Sequence, residues 1–192
     1  MNPPPNSIHP LTRAEWRAWL EAHHTRIEGI WLISYKKESG KPRFDYNDAV
    51  EEALCFGWVD SKPNKLDDER SSLWFAPRKA GTGWSALNKE RTEKLIAAGL
   101  MAPAGSAKIV AAKQDGSWYA LDEVELLTIP PDLEAALAAN GMASQFFNAF
   151  PRSVKRSILE WISNAKRLET RAQRIAETAR LAAENRRANQ WR

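Results

Sequence analysis

Arg78 and Lys79 stand just before a glycine-containing loop, Ala80-Gly81-Thr82-Gly83, which leads through Trp84 and Ser85 into a helical stretch. Two cations ahead of a helix N-terminus suit an anion, because free amides and the helix dipole add to their charge. The glycines at 81 and 83 permit close backbone approach. The loop has neither the Walker spacing nor the dinucleotide-binding fingerprint. Upstream, Trp58 offers a ring that can stack on a planar group. Asp60 offers a carboxylate that can orient Arg78 or act as a general base. Asn88 adds an amide in the first turn after Ser85. The candidate ligand-binding set is Trp58, Asp60, Arg78, Lys79, Trp84 and Asn88. Most members have a structural alternative: charges solvated on a surface loop, Asp60 holding a turn amide, both tryptophans filling a core or rim.

Other reactive residue types form no constellation. Asp67-Asp68-Glu69 lacks the spacing of a cation-binding loop, and neighbouring positions on an extended chain point to opposite faces. The single cysteine, Cys55, falls near a helix C-terminus, where the dipole opposes a thiolate. The histidines are His9, His23 and His24, which do not make a zinc site. No nucleophile–base pair is visible. The residues imply no metal and no cofactor, and point to a non-enzymatic protein, with chemistry through Asp60 left open.

Charge adds a second candidate. The chain has a formal net charge of +4 and a pI of about 9.3. Residues 152–192 hold 11 of the 28 Lys/Arg and 4 of the 24 Asp/Glu, a net of +7, which leaves −3 upstream. Arg167, Arg171, Arg174, Arg186 and Arg187 in this segment suit a nucleic-acid backbone. The alternatives are a solvated arginine-rich helix, or guanidinium groups forked onto carboxylates of the acidic part. A third reading makes the helical end a protein-interaction module.

These residues need elements to position them. Residues 1–10 carry four prolines and no periodicity, which reads as a flexible arm. Thr12-Arg13-Ala14-Glu15 is a capping box opening a helix to about His23. Ile30–Tyr35 is a strand. Asp45 caps a helix to Phe56, with Gly57 in the C′ role. Trp58–Ser61 is a short strand, Pro63-Asn64 a turn, and Arg70–Ala76 a third strand. Ser85 caps a helix ending at Gly99, and Pro103 opens another to about Gln114. Trp118–Leu127 is ambiguous between loop and short helix. Helices follow over about 132–139, 143–149, 152–164 and 168–188. The fold class is α+β: a small, mainly antiparallel or mixed sheet with packed helices, then an all-helical C-terminal part. The expected organisation is an arm over 1–10, an α+β domain over 11–128 and a helical segment over 129–192.

Composition sets the outer limits. At 192 residues, 43% hydrophobic and 27% charged, the chain can bury an ordinary core and is not generally disordered. No stretch has the length and apolarity of a membrane span, and the N-terminus lacks the pattern of a secretory signal, which together imply a cytoplasmic protein. Nine tryptophans against three tyrosines and six phenylalanines is an excess. Trp16, Trp19, Trp31, Trp74 and Trp161 fall on apolar faces or strands, Trp118 follows a turn, Trp191 lies in a frayed tail, and Trp58 and Trp84 alone flank polar and cationic residues.

Tyr46-Asn47-Asp48-Ala49-Val50-Glu51-Glu52-Ala53-Leu54-Cys55-Phe56-Gly57-Trp58-Val59-Asp60-Ser61 resembles the hallmark of the YdeI/OmpD-associated, or bacteriocin-protection, family. The similarity continues through Phe75–Lys79, Trp84–Arg91, Pro103–Gly105 and Asp115–Trp118. Trp161–Arg171, through Ile175, is similar to the family's helical segment. The resemblance implies a link with protection phenotypes and an outer-membrane porin. It carries no established catalytic residue, activity or cofactor onto this chain.

Overall fold

The computed structural model describes residues 3–189; Trp191 lies outside them. The chain forms two compact units, one running to Ala120 and one from Leu121.

The first unit contains β1 (Ser7–Ile8), α1 (Arg13–His23), β2 (Ile30–Tyr35), α2 (Tyr46–Cys55), β3 (Trp58–Lys65), β4 (Arg70–Pro77), α3 (Ala86–Ala97) and α4 (Pro103–Gln114). The strands form one sheet in the order β1-β2-β4-β3, with β1 parallel to β2 and the other pairings antiparallel. The sheet is mixed, as expected of the α+β class. It differs from expectation at Ser7-Ile8, which pair with Trp31 and Leu32 instead of belonging to a free arm. Prolines at 3–5 and 10 keep this pairing short, since proline lacks the amide a ladder needs. Pro63-Asn64 is also not a turn. Both residues lie in β3, just past a register shift between Asp60 and Pro63. β3 is an edge strand, and proline is tolerated at edges and bulges. The reversal falls at Asp67, whose carboxylate accepts the amides of Glu69 and Arg70 and the guanidinium of Arg70.

Capping explains the helix starts. Thr12 Oγ1 accepts the Glu15 amide at 3.2 Å, and the Glu15 carboxylate accepts the Leu11 amide at 2.8 Å. Asp45 and Ser85 cap α2 and α3 with their side chains. The indole of Trp16 is fully buried and donates to the Ala49 carbonyl at 3.0 Å, joining α1 to α2. Arg13 and Arg17, one turn apart, both reach Glu52 at 2.6 Å. Glu52 is 3% exposed, so this carboxylate depends on both partners. Trp16, Leu20, Val50, Leu54, Phe75 and Trp84 are among the residues of the core.

Glycine is required where α4 meets the end of α2. A Cβ on Gly105 would sit 2.3 Å from the Cys55 carbonyl oxygen. Gly57 has φ +75°, and a Cβ there would sit 2.6 Å from Lys108 Cγ. Gly57 lines the cleft described below.

The second unit is helical: α5 (Asp122–Glu125), α6 (Pro131–Ala138), α7 (Gly141–Ala149), α8 (Arg152–Ser163) and α9 (Leu168–Ala183). Its core includes Leu121, Leu133, Phe147, Ile158, Ile162 and Leu181. The ambiguous stretch ending at Leu127 holds the single turn α5. The last helix ends at Ala183, short of the expected 188. Asn185 takes a left-handed φ of 53°, and the Asn185 and Arg186 amides bond back to Ala182 and Leu181. That is a C-terminal stop of the type asparagine supplies. Among the described residues no helix is long and apolar enough to cross a membrane.

Candidate functional site

The β3–β4 pairing sets Trp58 opposite Pro77, and the Arg78 amide then donates to the Gly57 carbonyl at 2.9 Å. Strand pairing thus carries Arg78 to the end of α2 and the start of β3. Arg78 is 4% exposed. Its Nη1 donates to the carbonyls of Thr82 and Gly83, and its guanidinium carbon lies 3.9 Å from the Trp84 ring centroid. Its Nε is buried without a hydrogen-bond partner. Burial pushes the Arg78 pKa down to about 10, opposed only in part by the charge of Asp60. Among the described residues no carboxylate forms an ion pair with it. Buried charges are ordinarily paired, so this guanidinium is short of an anion.

Arg78 separates two cavities. The larger, about 490 Å³, has His24, Arg26, Trp58, Arg78, Lys79 and Lys108 among its walls. Among the described residues no acidic side chain lines it. Phe56 and Trp58 supply aromatic wall. Gly57, lacking a Cβ, lets the Lys108 stem run across it. The smaller, about 60 Å³, lies behind the Lys79–Thr82 loop, with Trp84, Asp115 and Ser117 in its lining. Asp115 accepts the Gly81 amide at 3.1 Å and so holds that loop.

The residues nominated from sequence divide accordingly. Trp58, Arg78 and Lys79 share the larger cleft. Trp58 is 1% exposed and donates its indole N–H to the His24 carbonyl at 3.1 Å. Trp84, also 1% exposed, is packed between Arg78 and Trp118, so it is a platform under Arg78 and offers no open stacking face. Asp60 accepts the Tyr46 hydroxyl at 2.9 Å and lines neither cavity. Burial, then this contact, pushes the Tyr46 pKa up to about 12. Asn88 closes the α3 cap with its amide and accepts from Arg91 through Oδ1; it lines neither cavity either. His24, Arg26 and Lys108 were not legible as site residues. They come from the end of α1 and the middle of α4, and no local motif links them to Arg78. Cys55 is buried, and burial pushes its thiol pKa up.

The basic C-terminal residues are largely engaged within their own unit. Arg171 forks onto Asp132 at 2.7 and 2.9 Å. Arg174 donates to the Trp161 carbonyl and lies over the Trp161 ring. Arg186 pairs with Glu184 at 2.9 Å. Arg167 and Arg187 are exposed.

Residues 127–185 match the family described as bacteriocin-protection, YdeI or OmpD-associated. Residues 8–108 match a domain of unknown function, DUF8412. The Tyr46–Ser61 stretch and the larger cleft, Arg78 included, fall within the latter match. No curated protein and no solved structure matches the chain. The match over residues 8–108 spans more than half of the 192 residues, so the chain belongs to the DUF8412 family, and it carries a YdeI/OmpD-associated, bacteriocin-protection domain after it.

Proposed function

We propose that the α+β unit binds a small anion with a planar or apolar portion, seated in the cleft between the end of α1, the Arg78-Lys79 loop and α4. The observation that carries this reading is Arg78: a nearly buried guanidinium that has, among the described residues, an unused Nε and no carboxylate partner, and that opens onto a cleft they line with further cations and no acid. Phosphate oxygens match that chemistry, since an arginine fork and lysine point charges are the usual phosphate partners. Phe56, Trp58 and Ile27 give the ligand an apolar wall. In this reading the activity is recognition, and no catalytic step is assigned to the cleft. The bacteriocin-protection role in the C-terminal family's name is the setting we assign to it.

Pyrophosphate and a nucleoside monophosphate are the probes, tested by calorimetry and thermal melting of the full chain. The expected result is saturable binding that raises Tm and weakens with added salt. Arg78→Met separates function from structure. Replacing an unpaired buried cation by an apolar side chain of similar length should leave ligand-free stability within about 1 kcal/mol while removing the anion-dependent rise. No binding of either probe, or binding unchanged in Arg78→Met, overturns the reading.

A further inference from the structure

A separate cavity of about 280 Å³ opens where the inner face of the sheet runs past the start of α2. In β2 and β4, Leu32 and Leu73 are directly paired and face the core, and two residues on, Ser34 is directly paired with Ser71. Residues two apart on a strand share a face, so two serines occupy the next core-facing level. Neither hydroxyl has a hydrogen-bond partner among the described residues. The sheet therefore ends its apolar face in a pair of free hydroxyls that line the cavity.

The remaining walls define the ligand. Leu32, Leu73, Phe44 and Ala49 make an apolar floor. At the rim, Arg43 is exposed and forms no ion pair among the described residues. Lys36 is taken up by the carbonyls of Asp67 and Asp68, while the Asp45 carboxylate accepts the Tyr46 amide through Oδ1 and keeps its charge. Among the described residues the rim thus presents Arg43 as a cation without an ion-pair partner, and the interior presents the Ser34–Ser71 hydroxyl pair together with the buried, unpartnered hydroxyl of Ser72. The volume lies at the small end of ligand pockets, which are typically about 300–1,000 Å³.

We propose that this cavity binds a small, largely apolar carboxylic acid. Its carboxylate meets Arg43, its body lies over Leu32, Leu73 and Phe44, and a polar substituent reaches Ser34 and Ser71. The site is independent of the Arg78 cleft and stands or falls apart from it.

The test is amide chemical-shift mapping of the full chain with benzoate, against benzamide as its uncharged counterpart. Benzoate should perturb the amides of Ser34, Phe44 and Ser71, and benzamide should bind about tenfold more weakly, the loss of roughly one charge-assisted contact. Arg43→Gln, at an exposed position, should erase that preference. Ser71→Leu, which fills the cavity, should abolish binding of both. Three results overturn the proposal: no perturbation at about 10 mM benzoate, ten times a Kd of about 1 mM; perturbations confined to Gly57, Arg78 and Lys79, which would assign benzoate to the cationic cleft; or a benzoate preference that survives Arg43→Gln.

Discussion

The guanidinium of Arg78 lies over the ring of Trp84 with 3.9 Å between guanidinium carbon and ring centroid. The stacking places a cation at the base of the larger cleft and takes the tryptophan out of reach of a ligand seated there. Trp84→Ala should cost about 3–5 kcal/mol by urea denaturation, the usual loss for a buried aromatic. It should also weaken anion binding, because Arg78 loses the surface that orients it.

Glu52 is the shared partner of Arg13 and Arg17 and is 3% exposed. The arginine side chains are each 34% exposed, so solvent moderates what they lose. Glu52→Gln should destabilise by about 3 kcal/mol, the low end for breaking a buried ion pair. Replacing Glu52, Arg13 and Arg17 together by methionine should recover most of that loss, as measured by chemical denaturation.

Two glycine-to-alanine changes should move stability in opposite directions. At Gly105 the added Cβ meets the Cys55 carbonyl oxygen at 2.3 Å, so α4 must shift, at a cost of about 1–3 kcal/mol. At Gly141 nothing lies within 4 Å of the new atom and φ is negative, so alanine should stabilise by about 0.4–1 kcal/mol. Thermal melts of the two variants check both signs.

His9 packs on Tyr35 at 4.6 Å between ring centroids, and its Nε2 is buried without a partner. Burial, then the charge of Arg70, holds its pKa below the ordinary 6.5. The unfolded chain therefore takes up the proton first. The stability His9 supports is complete above pH 6.5 and declines as pH falls below it toward the lowered folded value. The Trp31 amide, which donates to the Asn6 carbonyl at 2.8 Å, should lose hydrogen-exchange protection over that window. In His9→Phe this protection should be independent of pH.

Most of the elements were legible because their causes are local. Thr12, Asp45 and Ser85 cap helices with their own side chains, and Gly57 takes the positive φ expected after α2. Where local signals misled, the deciding term was not local. Ser7-Ile8 becomes a strand only because Trp31-Leu32 lies beside it, and Pro63 is accepted in β3 only because that strand is an edge. The tryptophans show the same division. Trp58 and Trp84, singled out for their polar neighbours, are more deeply buried than Trp19, Trp31, Trp74 and Trp161. Flanking residues describe the chain and not the face on which a ring ends up.

Sequence alone determined that this protein is α+β, that its helical end is arginine-rich, and that a cationic loop precedes α3, since composition, periodicity and caps act over a few residues. Tertiary structure decided which cations face one cleft. His24, Arg26 and Lys108 join Trp58, Arg78 and Lys79 through strand register and helix packing across distant parts of the chain. It also decided that Arg171, Arg174 and Arg186 have partners within their own unit. The physical reason is common to both: a charge acts on what lies within a few ångströms of it, and that neighbourhood exists only once the chain has folded.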